Sequence, residues 1–268
     1  MNKNINTVKA YEHFFLGLLE GDGSIQVNHW KKRSLQFRII IKLKYTSANY
    51  AMCAEIREKL GIMNLHIRRG FVILVEDHRV RLLSIMAIID KHGLLITHKR
   101  KQYAFFKYCY NNRITYSEYA HIKELKNSWF GFNSITDYSC DLILQFSHWP
   151  NWLTGFTEAE GCFCIRSNGS HSFSISQKQG YEVLTAIKKT FKIPNNVRST
   201  SRLYFLETYG GVVLQSICNF YSSPDVIGLL GEKQIQYKAF RASLENKKLK
   251  KKSPKNKQNF KTEIFIYN

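Results

Sequence analysis

Hydrophobic positions along the chain follow two rhythms, and these recur in the same order in each half. Phe37, Ile39, Ile41 and Leu43 alternate with Arg38, Lys42 and Lys44, the period-two pattern of a strand with one buried face. Ala48–Leu60 carries helical spacing and stops before Gly61, a residue suited to a helix C-terminus. Strand candidates Leu65–Arg69 and Phe71–Val75 flank Gly70, and helices are predicted over Asp77–Lys91 and Thr97–Tyr110. In the second half Ser172–Lys178 alternates, with Phe173 and Ile175 on one face. Tyr181–Phe191 then reads as a helix, Val197–Ser201 and Tyr204–Thr208 as a hairpin, and Gly211–Tyr221 and Glu232–Leu244 as helices. Between the halves, residues 112–147 offer one short helix candidate, Ser117–Ser128.

The element preceding each set is itself repeated. HFFLGLLEGDGSI (13–25) aligns with NWLTGFTEAEGCF (151–163), pairing Gly17 with Gly155, Glu20 with Glu158, Asp22 with Glu160 and Gly23 with Gly161. Farther on, LLITHKRKQYAFF (94–106) aligns with LLGEKQIQYKAF (229–240), pairing Lys99 with Lys233. The chain therefore divides into a unit over 1–111, a linker over 112–147, a second unit over 148–246 and a Lys-rich tail over 247–268. Gly17 and Gly21, like Gly155 and Ala159, are four apart, which cuts a groove into one helix face and lets two backbones approach. Packing these helices together brings Asp22 and Glu160 side by side where the helices end. Two carboxylates near negative helix termini repel unless a cation lies between them. Oxygen donors of this kind, with the carbonyls of Gly21 and Ala159, suit Mg2+ or another hard divalent ion.

Composition sharpens the chemistry. Of 268 residues, 40 are Lys or Arg and 20 are Asp or Glu, a net charge of +20 with a pI near 9.7. Such a surface favours a polyanion, nucleic acid first and an anionic membrane second. A metal held by two acids on a basic protein points to phosphodiester cleavage. The hydrophobic share, 44%, excludes wholesale disorder, and no apolar run is long enough to span a bilayer. The opening residues resemble neither a secretory signal nor a transit peptide. Lys247–Lys261 carries eight Lys and no acid, and reads either as a solvated end or as a phosphate-contacting arm. The six Cys lack zinc-type spacing, which fits a reducing compartment, and Cys162 and Cys164 read as small buried hydrophobes. No His-metal motif occurs. His13 and His148 flank the repeated helices as packing or capping groups, and most aromatics are assigned to the core.

FLGLLEGDG (15–23) and LTGFTEAEG (153–161) resemble the two motifs of single-chain LAGLIDADG homing endonucleases, over nearly the whole chain. The resemblance implies an α+β fold of two tandem αββαββα units with pseudo-two-fold symmetry. The motif helices form the interface, and each antiparallel four-stranded sheet forms a saddle along the DNA major groove. It implies a site-specific, metal-dependent double-strand break with 3′ overhangs in a long, non-palindromic target, and mobility of a host intron. Asp22 and Glu160 match the family's catalytic and metal-binding acids, with Gly21 and Ala159 as carbonyl donors. Glu20 and Glu158 match an earlier, more structural acid. Lys99 and Lys233 match a basic residue near the site, and Gln177 matches a polar strand-end residue whose first-half counterpart is read as Tyr45. The unequal acids imply unequal metal sites. Leu16 and Thr154 depart from the small residue usual at the second motif position and would widen the helix packing slightly.

The polar strand faces should read DNA, since Arg and Lys bond guanine edges, Asn and Gln adenine edges, and any basic residue a phosphate. In the first unit the candidates are Gln26, Asn28, Trp30, Lys31, Lys32, Arg33, Gln36, Arg38, Lys42, Lys44, Arg68 and Arg69, with Lys31–Arg33 in a strand-connecting loop. In the second they are Arg166, Asn168, Ser172, Ser174, Ser176, Lys178, Arg198, Thr200 and Arg202. The implied cofactor is Mg2+, with Mn2+ able to substitute and Ca2+ binding without cleavage. The implied partner is double-stranded DNA bound by a monomer, with no membrane. An intron-encoded enzyme of a mitochondrion, or less readily a chloroplast, fits the Lys-, Asn-, Ile-, Phe- and Tyr-rich composition. The rival reading is an RNA maturase of the same fold, which binds its host intron RNA.

Overall fold

The structure, a computed structural model, describes residues 8–124, 134–201 and 203–252. Arg202, the end of the linker helix candidate (125–128) and the tail from 253 onward lie outside the described residues. The first unit runs α1 (Val8–Asp22), β1 (Gly23–Trp30), β2 (Ser34–Lys44), α2 (Ser47–Leu60), β3 (Asn64–Arg68), β4 (Phe71–Glu76), α3 (Arg79–His92) and α4 (Thr97–Asn111). The linker contributes α5 (Tyr116–Glu124) and α6 (Cys140–Gln145). The second unit runs α7 (Trp149–Glu160), β5 (Gly161–Ile165), β6 (His171–Gln177), α8 (Tyr181–Phe191), β7 (Arg198–Ser199), β8 (Tyr204–Thr208), α9 (Gly211–Tyr221) and α10 (Glu232–Lys252).

Each unit holds a four-stranded antiparallel sheet, ordered β1-β2-β4-β3 in the first and β5-β6-β8-β7 in the second. The alternation decides which face is buried. Phe37, Ile39, Ile41 and Leu43 of β2, with Val72 and Leu74 of β4, turn into the core, as do Phe173, Ile175 and Leu206 in the second unit. The opposite faces are left to solvent as two saddles. Helix ends obey their local chemistry: Thr46 accepts from the Asn49 N–H at the start of α2, and Gly61 closes it at φ +61°.

The two units meet along α1 and α7, where glycine is obligatory. A Cβ on Gly17 would sit 1.9 Å from the Trp152 carbonyl oxygen, and one on Gly155 would sit 1.9 Å from that of Phe14. Leu16 and Thr154 are fully buried, Thr154 donating to the Asn151 carbonyl, and the backbones still touch.

Several expectations are corrected. β7 keeps two residues instead of five, because the chain turns between Thr200 and Leu203. α10 runs on to Lys252, so the first Lys of the tail belong to a helix. The linker is tied down: Tyr119 donates to the Val27 carbonyl, and the Cys140 N–H bonds Glu182 of α8. Cys162 is exposed and Cys164 half-buried, because Phe163 takes the core-facing position of β5 and turns its neighbours to the saddle. His148 packs but does not cap: its side chain makes no bond to the start of α7. It converges with His13 and His92 at ring separations of 4.5–6.0 Å, at the opposite end of α1 from Asp22.

Candidate active site and nucleic-acid interface

The motif helices end together, so Asp22 and Glu160 flank the bottom of the groove between the saddles. A Cβ on Gly21 would lie 2.3 Å from that of Ala159 and 3.3 Å from the Glu160 Cγ, which fixes how near the two acids come. Asp22 is exposed and Glu160 half-buried, yet the protein mass around both withholds solvent. That loss of solvation raises Asp22 to about 6 against the pull of Lys233 and Lys99. It raises Glu160 to about 7, with repulsion from Asp22 adding to it. Both are reluctant carboxylates, and a cation between them would offset the lost solvation and the mutual repulsion. No group of three or more His, Cys, Asp or Glu side chains forms a metal cage among the described residues. Two acids with neighbouring carbonyls are a donor set that would suit a hard divalent ion keeping ligand positions for water and phosphate.

The earlier acids hold the lysines in place. Glu20 is fully buried and accepts from the backbone N–H groups of Leu95 and Ile96 and from the Trp152 indole. Those amides open α4, which carries Lys99. Glu158 does the same for α10, accepting from the Leu230 and Lys233 N–H groups. Sequence reading marked both acids as structural but could not see that each caps the lysine-bearing helix. The lysines differ. Lys99 is buried and donates to the Gly23 carbonyl, and burial pulls its pKa down despite Glu20, Glu160 and Asp22. Lys233 is half-buried and reaches Gln236 at 3.5 Å.

Gln177 ends β6 on the core-facing side and donates to Glu160 at 3.4 Å. Its counterpart is corrected. Gly23 pairs with Ile41 and Gly161 with Ile175, so Gln177 matches Leu43 and not Tyr45, which lies past the strand and is exposed. The first unit has a buried leucine where the second has an amide.

The structure puts the strand candidates on the two saddles. Gln26 and Asn28 form a ladder with Ser24 along β1, at 2.9 and 3.0 Å. Gln36, Arg38, Lys42 and Lys44 share the saddle side of β2, with Arg68 at the end of β3 and Arg69 in the turn after it. Trp30 is 60% exposed at the hairpin end, and Lys31, Lys32 and Arg33 form the turn, as expected. In the second unit Ser174, Ser176 and Arg198 face the saddle, while Lys178, Asn168 and Thr200 lie in exposed connections. Ser172 is corrected: it is buried. Arg166 follows β5 yet bonds Glu207 of β8 and the Tyr209 hydroxyl beyond it, so its side chain crosses β6 over that serine. The charge survey passed over Cys162, Cys164, Glu207 and the aliphatic Ile40, Ile73 and Val75, which share these faces; strand alternation alone could have found them.

Paired αββαββα units joined along glycine-lined helices, with two acids at the helix ends and a saddle on each side, define a double-repeat LAGLIDADG fold. The model of the LAGLIDADG endonuclease family matches residues 15–110 and 153–244, and the chain belongs to that family. It is 36% identical over 240 residues to the "Probable intron-encoded endonuclease aI3" of Dictyostelium citrinum, covering 87% of this chain and 95% of that protein. A protein of the same name from Debaryomyces hansenii is 30% identical, over 87% of this chain but 39% of its own length. Among solved structures, the LAGLIDADG meganuclease I-AabMI bound to uncleaved DNA superposes with a TM-score of 0.66 at 20% identity, covering 89% of this chain and 92% of that one.

Proposed function

We propose that the chain is a monomeric, site-specific DNA endonuclease that makes a divalent-cation-dependent double-strand break with 3′ overhangs and thereby promotes mobility of a host intron. The observation that carries this reading is the meeting of Asp22 and Glu160, two poorly solvated carboxylates, between two basic saddles. Asp22 and Glu160, with the carbonyls of Gly21 and Ala159, are the groups that would hold the ion, Mg2+ foremost with Mn2+ as substitute. When bound, it activates water and offsets charge on the leaving oxygen. The chain supplies the rest. Lys99 and Lys233 place positive charge beside the scissile phosphates, where it is worth most as the oxyanions develop. Gln177 holds the Glu160 carboxylate in one orientation. The saddle side chains fix register by phosphate contacts and sequence by base-edge contacts. Among the structural neighbours, I-SmaMI has been solved on uncleaved DNA in the presence of calcium ions, in keeping with an ion that permits binding without cutting. The names of the relatives favour an intron-encoded enzyme, and its Lys-, Asn-, Ile-, Phe- and Tyr-rich composition supports a mitochondrial home.

The deciding experiment is incubation with a randomised duplex library in Mg2+, in Ca2+ and in EDTA. One enriched long site, cut in Mg2+ and only retained in Ca2+, is the expected result. Retention without cutting in Mg2+ would overturn the nuclease and make host intron RNA the next ligand.

A further inference from the structure

The first saddle has a basic rim but an aliphatic floor. Ile40 of β2 lies between Ser24 of β1 and Val75 of β4, and Ile73 lies between Lys42 of β2 and His66 of β3. These positions alternate with core residues, so Ile40 and Ile73 point away from the core and line a concavity of about 400 Å³, with the buried Val75 beside Ile40. Ile40 and Ile73 are half-buried, and Asn64 and His66 of β3 lie directly across from Val75 and Ile73 in the same lining. At one edge, Asp77 holds Arg38 at 3.2 Å, and the buried Arg38 Nε has no hydrogen-bond partner among the described residues. At another, Lys42 lies over the Phe71 ring at 4.0 Å, beside Lys44 and Arg68. Aliphatic carbons at the centre of a cationic concavity call for a polyanion that displays apolar groups inward. Duplex DNA does so at one kind of position, the thymine 5-methyl group in the major groove.

The second saddle keeps only part of this floor. Ile41 pairs with Leu74 as Ile175 pairs with Leu206, so Ile40 and Val75 correspond to Ser174 and Glu207, while Ile73 corresponds to the half-buried Phe205. Glu207 is a carboxylate held by Arg166. We infer that Ile40, with Ile73 beside it, reads thymine methyl groups in the half-site bound by the N-terminal unit, and that the C-terminal unit, with Ser174 in place of Ile40, has the weaker requirement. The inference rests on the reading of the chain as a DNA endonuclease. Register sets Ile40 level with Ser24, two residues beyond Asp22, and Ile73, paired with Lys42, two residues farther in, level with Asp22 itself. Two residues of strand span about 7 Å, so the thymines lie within about two base pairs of the cut.

The test alters the DNA and not the fold. Once the library has supplied a target, every thymine of one half-site is replaced by deoxyuridine, which removes the methyl group and keeps the base pairing. Affinity is measured in Ca2+ for each half separately, with the wild-type chain and with Ile40→Ser, which gives the first saddle the serine of the second. One half should lose about fourfold per buried methyl group, the other clearly less, and Ile40→Ser should flatten the sensitive half. Equal sensitivity of both halves, insensitivity of both, the absence of thymine near the cut from both halves, or unchanged sensitivity in Ile40→Ser would overturn the inference while leaving the endonuclease intact. If the wild-type chain retains no duplex at all, both readings fall together.

Discussion

Glu20 accepts a 2.7 Å hydrogen bond from the indole N–H of Trp152, 132 residues away, inside the helix pair that joins the two units. The same carboxylate holds the Leu95 and Ile96 amides that start the lysine helix. One buried side chain thus ties the interface to the position of Lys99. Glu20→Ala would leave three buried donors unpaired at about 1–3 kcal/mol each, so a loss of roughly 3–5 kcal/mol in denaturant unfolding is expected. Glu20→Gln keeps an acceptor oxygen and should lose clearly less. Equal losses in the two variants would show that the carboxylate's three bonds carry little.

The acids at the helix ends carry the chemistry in the proposed reading. Asp22→Asn and Glu160→Gln each remove one charged ligand while keeping shape. Loss of several kcal/mol of transition-state stabilisation corresponds to about a hundredfold or more in rate. Double-strand cleavage should fall by at least that much, with duplex affinity in Ca2+ within a few fold of wild type. Full cleavage by either variant would remove the metal assignment.

Much of this was legible before any coordinates. The elements follow from periodicity, and the interface from Gly17, Gly21, Gly155 and Ala159 at helical spacing. What escaped depended on long-range register. The β1–β2 hairpin is four residues longer than its counterpart because its strands are longer: Gly23 pairs with Ile41 but Gly161 with Ile175. Sequence alone reads the counterpart of Gln177 as Tyr45, just past the first unit's strand, where pairing sets Leu43. The phase of β5, five residues long, was ambiguous until Phe163 was seen in the core, and that turned the cysteines outward. The burial of Ser172 required Arg166 to cross a strand, which no local pattern announces.

The Leu43–Gln177 difference should appear as unequal cutting of the two strands. Gln177 touches Glu160, whereas Leu43 is buried and brings no polar group to the first unit. Gln177→Leu removes one hydrogen bond to a charged group, about 1.5–3 kcal/mol, or roughly 10–150-fold in one strand's rate. Separately labelled strands should show a persistent nicked intermediate in the variant. Equal slowing of both strands would mean that Gln177 serves the site as a whole.

Close backbone packing sets a limit on the interface. A Cβ at Gly155 would strike the Phe14 carbonyl, and no rotamer relieves a clash with backbone. Gly155→Ala should cost at least the roughly 1–3 kcal/mol typical of overpacking. Gly211→Ala, where a Cβ meets nothing within 4 Å, is the control and should be near neutral. A melting temperature for Gly155→Ala close to wild type would contradict the packing described.

The three-histidine cluster should make the fold acid-sensitive. His13 is buried, and neither ring nitrogen has a hydrogen-bond partner among the described residues. Burial first, then repulsion from His92, His148 and Lys9, lowers it to about 3, with Glu12 opposing; burial and His92 lower His148 to about 4. A base whose folded pKa is depressed binds fewer protons folded than unfolded. Its contribution is therefore complete above the unfolded value near 6.5 and is lost as the pH falls toward the folded value. One such histidine costs about 1.4 kcal/mol at pH 5.5. The raised carboxyls of Glu20, Asp22 and Glu160 act oppositely, gaining stability as the pH falls through their values near 6 to 7. The informative quantity is thus the difference between wild type and His13→Phe, which keeps an aromatic ring and removes the proton site. That difference should move in favour of the variant by about 1 kcal/mol between pH 7.5 and 5.5 in denaturant unfolding. A pH-independent difference would mean that His13 stays neutral in both states or is solvated in the fold.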